Sequence, residues 1–194
     1  MKQIAAYPKN EAHFLRLIRF GKEIIALCHS HGANPILYGS MAHFLHTGDK
    51  GMNVNDLDFL VPSSKLPGIF RALRRKGAKE FYWKVGSTHT PDLMRAARRA
   101  KGKTLLVRFP DWNGIVIVRG DLRVDLDDLV RTYTQDKRPP KDFVPLDFNG
   151  DRIRMISLPG LRNLYKVAYA SEKGKDKARM KRKMKRMEAS LKRK

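Results

Sequence analysis

Cysteine is almost missing from this sequence: Cys28 stands alone among 194 residues. No disulfide can form within the chain, which suits a reducing compartment. No apolar run comes near the ~18 residues of a membrane span. The N-terminal stretch also lacks the charged-then-apolar order of a secretory signal. These gaps set the expectation of a soluble, cytoplasmic protein. Acidic residues are scarce beside basic ones: 19 Asp and Glu face 41 Lys and Arg, a net charge of +22. Such an imbalance calls for a polyanionic partner, whether nucleic acid, an anionic membrane surface or polyphosphate groups.

Two familiar chemistries are excluded by what is missing from their patterns. Gly102-Lys103-Thr104 has the end of a phosphate-binding P-loop. Position 97, where that loop needs glycine, holds Ala97, and the segment before it reads as a helix rather than a strand. Cys28, His29 and His31, like His43 and His46, form no complete ligand set at zinc-site spacing.

What is present is one domain's worth of chain, with hydrophobic residues at 42% and charged residues at 31%. The basic excess is uneven. It concentrates in residues 71–103 and 173–194, leaving a nearly neutral remainder that holds most of the carboxylates. Helical spacing of Phe14, Leu15, Ile18, Ile25 and Leu27 predicts a helix over 10–31. Short apolar runs predict strands at 35–38 and 57–61, with a short helix at 41–46 and a Gly/Asp/Asn-rich loop at 47–55 between them. Basic helices follow at 66–76 and 91–100, and strands at 80–85, 104–109, 115–118 and 122–126. Asn149-Gly150 marks a hairpin within 143–156. A helix over 157–171 and a basic helix running to the C-terminus complete the order. The pattern is α/β or α+β, with a mixed sheet flanked by helices.

Chemistry concentrates between the first two strands. An apolar strand runs into Gly39-Ser40 at a helix start, where a glycine lets phosphate approach the backbone and the helix dipole favours an anion. Asp56 and Asp58 lie two apart on the next strand, so both point to one face. Two carboxylates so placed repel each other unless cations lie between them. Two Mg²⁺ (or Mn²⁺) ions there would bridge a triphosphate and activate an acceptor hydroxyl. On the strand at 122–126, Leu122, Val124 and Leu126 face the core. Arg123, Asp125 and Asp127 face the other way, and either carboxylate can complete the cluster.

Tyr38-Gly39-Ser40 followed by Asp56-Leu57-Asp58-Phe59 resembles the signature of the nucleotidyltransferase superfamily, whose fold is that of polymerase β. The resemblance implies transfer of a nucleoside monophosphate from an NTP. Asp56, Asp58 and Asp125 (or Asp127) would be the metal-binding and proton-accepting carboxylates, and Gly39 and Ser40 the phosphate site. The later pattern is similar to that of lincosamide-type transferases and abortive-infection-type nucleotidyltransferase toxins: a Gly-containing hairpin, a helix carrying Lys166, then Lys175-Asp176. By this resemblance Lys166 reaches the triphosphate, with Lys175 and Asp176 in supporting roles. A toxin role would bring an antitoxin protein as partner. The expected organisation is a nucleotidyltransferase domain over 1–156 and a basic helical extension over 157–194.

The two basic regions favour RNA as the acceptor. Arg95, Arg98, Arg99, Lys101 and Lys103 form one candidate backbone-binding group. Lys181, Arg182, Lys183, Lys185 and Arg186 form the other, beside an apolar stripe of Met180, Met184, Met187 and Leu191 that suits docking on a core. Tyr82 and Trp83, next to Lys84, are candidate base-stacking residues, although aromatic residues more often serve a core. A small-molecule acceptor leaves most of this charge without a purpose. The rival to an enzyme is a non-catalytic basic module that binds nucleic acid on the same scaffold.

Overall fold

Short apolar runs, as in Ile115–Arg119 and Leu105–Arg108, and alternating runs such as Leu122–Asp128 build the strands, and the registers between them decide what each strand carries on each face. The computed structural model describes residues 2–4, 6–82, 90–108, 114–129, 142–171 and 174–192. The strands are β1 (Lys2–Gln3), β2 (Ile36–Tyr38), β3 (Leu57–Val61), β4 (Lys79–Tyr82), β5 (Leu105–Arg108), β6 (Ile115–Arg119), β7 (Leu122–Asp128), β8 (Phe143–Phe148) and β9 (Asp151–Ile156). The helices are α1 (Glu11–Ser30), α2 (Gly39–Thr47), α3 (Leu66–Arg75), α4 (Thr90–Arg99), α5 (Leu158–Ser171) and α6 (Gly174–Leu191). Among the described residues all nine strands join one mixed sheet in the order β1-β8-β9-β2-β3-β7-β6-β5-β4.

Register sorts the central strands into two unlike faces. Leu37 pairs with Phe59, Phe59 with Leu126, and Val124 with Ile117, so these side chains share one face. They form the main core with Phe14, Leu17, Ile24 and Ile25 of α1 and Ile69 of α3. On the other face Tyr38, Asp58, Asp125 and Val116 lie abreast. Further along that face Val116 and Val118 pack with Leu105, Val107 and Ala97 of α4 in a second, smaller cluster. One face of the sheet thus supplies cohesion, and the other carries carboxylates beside a basic helix.

The C-terminal helices dock on this body. Leu161, Leu164 and Tyr165 of α5 and Met187 of α6 join the main core, with Met180 and Met184 packed against it. Met187 has no exposed surface. Burying a side chain of that size contributes roughly 1.5–3 kcal/mol. None of the described helices is long and apolar enough to cross a membrane.

The structure adjusts several boundaries. Asp56 precedes β3 instead of lying on it, and β7 runs on to Asp128. β4 covers Lys79–Tyr82, and residues 83–85 of the expected strand lie outside the described residues. The two-residue β1 pairs parallel with β8, a pairing that no local alternation signals. Asn149 and Gly150 have φ of 54° and 99°, both left-handed, which is why the β8–β9 hairpin turns at an Asn-Gly pair.

Candidate active site

The site forms where β2 ends and α2 begins. Gly39 has φ 68°, and a Cβ there would stand in the Asp58 carboxylate, only 2.7 Å from its Cγ. Both the backbone angle and the lack of space require glycine. Ser40 follows at the N-terminus of α2, and its hydroxyl donates to Asp56 Oδ1 at 3.1 Å. The Tyr165 hydroxyl donates to the Gly39 carbonyl at 3.1 Å, tying α5 to the same turn.

Register settles how the acidic strands meet. Asp58 of β3 pairs with Asp125 of β7, whereas Asp127 pairs with Leu60. Asp125 is therefore the carboxylate beside the Asp56/Asp58 pair. Asp127 lies one step further from it and accepts a hydrogen bond from the Tyr38 hydroxyl. Burial pushes the Asp127 carboxyl up to about 7. Asp58 is pushed well above the usual carboxylate range, first by burial and then by the negative charges of Asp56 and Asp125. Burial also raises Asp125, against the opposing effect of Arg123.

Arg123 lies on the same face of β7 as Asp125 and grips it with both arms of its guanidinium. Nε donates to Oδ1 at 2.7 Å and an Nη to Oδ2 at 2.6 Å. The two residues are 8% and 6% exposed. Burial works against the charged guanidinium, but Asp125, Asp56 and Asp58 together raise its pKa.

A cleft of about 400 Å³ opens in front of Ser40 and Asp56, and its far wall is α6: Arg182, Lys183 and Arg186 line it with His43, Asn53 and Asn55. The positive charge of Lys183 acts on both Asp58 and His43. Its Nζ also lies 5.3 Å from the centre of the Tyr165 ring. His43, one turn into α2, is fully buried, and neither ring nitrogen has a hydrogen-bond partner among the described residues. Burial, then the charge of Lys183, pulls its pKa down to about 4, so the imidazole is neutral near pH 7.

The cleft thus gathers Ser40 and Asp56 with part of the group read from sequence as nucleic-acid-binding, while Gly39 and Asp58 lie against each other beside those two. Lys181 and Lys185 are exposed on α6 and do not line it. Arg95, Arg98, Arg99, Lys101 and Lys103 are exposed on and just after α4. Lys166 is exposed on α5 and does not line the cleft either. The side chains of Lys175, Asp176 and Tyr82 lie outside the described residues, as do Trp83 and Lys84. His43, read from sequence as flanking the active-site helix or only lining a helix face, lines the cleft. Two contributors escaped the sequence reading: Tyr165 and the inward turn of Lys183. Only the latter carried a signal. Lys183 lies three residues after Met180 and four before Met187, at the edge of the apolar stripe.

The donor set suits a hard divalent cation. Asp56 and Asp58 offer carboxylate oxygens and repel each other, and Mg²⁺ is commonly held by one or two carboxylates with substrate phosphates and water. Among the described residues no three acidic, histidine or cysteine side chains are gathered ready for a metal, and Asp125 is occupied by Arg123.

No protein-family model matches the sequence, and no curated protein matches it. Among solved structures, the chain is similar to ANT(2″)-Ia in complex with adenylyl-2″-tobramycin. The TM-score is 0.52 at 13% identity, covering 90% of this chain and 88% of that one. An antigenic nucleotidyltransferase-like protein from Paracoccidioides brasiliensis aligns over 94% of this chain and 78% of its own, at 13% identity and a TM-score of 0.49. The nine-stranded mixed sheet, with its helix starting at Gly39-Ser40 and its carboxylates abreast on β3 and β7, is the nucleotidyltransferase fold.

Proposed function

We propose that this protein is a divalent-metal-dependent nucleotidyltransferase, moving a nucleoside monophosphate from an NTP to an acceptor hydroxyl, with pyrophosphate leaving. The observation that carries this reading is the close approach of Gly39 to Asp58. It brings a helix N-terminus suited to phosphate and a carboxylate pair suited to a cation side by side, with Ser40 and Asp56 opening on the cleft.

Asp56 and Asp58 would hold the ion, which when bound supplies charge neutralisation and polarisation at the phosphoryl group. The Gly39-Ser40 turn receives phosphate oxygens at the positive end of α2. Arg182, Lys183 and Arg186, facing the same cleft, offset the charge that builds on the departing pyrophosphate. On this assignment the lysine that serves the triphosphate is Lys183 of α6, while Lys166 points to solvent. The acceptor hydroxyl attacks the α-phosphorus in line, the bond to pyrophosphate breaks, and the hydroxyl proton passes to Asp125. That carboxylate keeps free lone pairs even with Arg123 bound.

For the acceptor, RNA accounts for the exposed cations at Arg95, Arg98, Arg99, Lys101 and Lys103. The small cluster anchoring α4 through Ala97 lies on the carboxylate face of the sheet. A toxin role with a protein antitoxin rests on the pattern of Lys166 and Lys175-Asp176 alone. A second reading, a small hydroxylated molecule as acceptor, is favoured by the fold likeness to ANT(2″)-Ia, which was captured with adenylyl-2″-tobramycin.

The test is incubation with each of the four α-³²P-labelled NTPs, Mg²⁺ and total RNA, beside an Asp58→Asn control. Label should enter RNA from the native protein and fall on the order of a thousandfold in the variant, with the unfolding temperature kept. An Asp58→Asn protein that still transfers label would sink the assignment. Pyrophosphate release that depends on small hydroxylated compounds, with no label in RNA, would select the second reading.

A further inference from the structure

The sequence leads to an expectation of two divalent ions among Asp56, Asp58 and Asp125. The structure fills one of those places already. Both oxygens of Asp125 are engaged by the Arg123 guanidinium, at 2.7 and 2.6 Å, and both side chains are buried. A guanidinium is charged at any pH a protein meets, and its planar fork matches a carboxylate. Its influence also reaches past Asp125, since Asp56 and Asp58 both act on it. An ion ligated by Asp125 would stand against this fixed positive charge, with little water to screen it. Swinging Arg123 away would strand a buried charge without its partner, which proteins avoid. Asp56, in contrast, faces the open cleft, and among the described residues only the Ser40 hydroxyl is its hydrogen-bond partner.

We propose that Arg123 is a built-in cation of the active site, standing where a second divalent ion would otherwise lie, so that the protein–nucleotide complex takes one metal ion instead of two. Asp56 and Asp58 hold that ion with the triphosphate. Arg123 acts through Asp125: it keeps the carboxylate aimed at the acceptor side and balances its charge while the acceptor proton arrives. This inference rests on the nucleotidyl-transfer reading and specifies its metal requirement.

Equilibrium dialysis tests it, with radioactive Mn²⁺ and a tritiated α,β-methylene NTP that cannot be cleaved at the transferring bond. The excess of metal and of nucleotide on the protein side is counted. Native protein should hold one Mn²⁺ per bound nucleotide. Arg123→Gln, which removes the charge but keeps a polar side chain, should hold two, and Arg123→Lys should return to one. Asp125→Asn should stay at one, which also covers the case of an Arg123→Gln protein that does not fold. Two Mn²⁺ per nucleotide on the native protein would overturn the inference and leave nucleotidyl transfer standing. An Arg123→Gln ratio that stays at one would also overturn it. No excess of nucleotide on the protein side would overturn both readings.

Discussion

The two basic helices of this protein look interchangeable in sequence, and the fold gives them different surroundings. α4 presents Arg95, Arg98 and Arg99 to solvent and is anchored through Ala97 to a small cluster on β5 and β6. α6 is anchored through Met187 to the main core. It turns Arg182, Lys183 and Arg186 into the cleft that holds Ser40 and Asp56. In sheet order they stand on opposite sides of β3 and β7. α4 covers the β5–β6 side, while α6 packs with α2 and α5, which follow β2 and β9. The lesson concerns what a charge run means. A cation whose helix is docked along a neighbouring apolar stripe can reach a buried site, and one on the opposite face remains a surface charge screened within about 10 Å. On the proposed function, α6 grips the nucleotide and α4 meets the acceptor.

Between the two helices, the larger expected effect belongs to Lys183. Lys183→Met keeps the stem and removes the charge. It should weaken binding of the Mg²⁺–NTP complex by about 10- to 100-fold, the value of a charged hydrogen bond in a sheltered site. Isothermal titration with an uncleavable NTP would read this directly. A smaller loss, and of a different ligand, is expected when Arg95, Arg98 and Arg99 are all changed to Gln. RNA affinity should fall severalfold, and the slope of log K against log salt should flatten by about 0.7 for each phosphate no longer neutralised. Nucleotide affinity should not move. If the α4 triple variant lost NTP binding as Lys183→Met does, the division of labour between the helices would be wrong.

The smallest effect is on stability and lies beneath α6. His43 is held neutral by burial and by the charge of Lys183, with a pKa moved from 6.5 to about 4. Its folded pKa is depressed, so the unfolded chain binds a proton between those values and the folded one does not. Stability should therefore decline as pH falls from 6.5 to about 4. His43→Leu removes two unpartnered polar atoms as well as that titration. It should be more stable by about 1 kcal/mol at pH 7 and should lose the slope over that window in thermal unfolding. A variant less stable than the native protein at pH 5 would show that the imidazole has a partner worth keeping.

Much of the site was legible because it rests on local chemistry. The helix start at Gly39-Ser40, the Asp-x-Asp spacing and the opposite facing of Val124 and Asp125 follow from local sequence and a period of two, whereas the left-handed φ of Gly39 came only from the structure. Helix and strand positions followed from apolar spacing, and the Asn149-Gly150 turn from its demand for two left-handed residues. Asp125 and Asp127 could not be told apart on one strand, because they share a face. Their roles separate only when β3 is laid alongside in register, with Asp58 opposite Asp125.

The sequence by itself determined the element order, the Gly-Ser turn, the acidic pair further along the chain and the existence of two basic regions, since each depends on neighbours a few residues apart. The tertiary structure alone decided that Arg123 grips Asp125 instead of facing solvent, that Lys183 turns inward while Lys166 turns out, and that Tyr165 ties α5 to Gly39. Each depends on which buried surfaces close around a side chain. A polar group chooses its partner only after packing has removed the water that would have served as well.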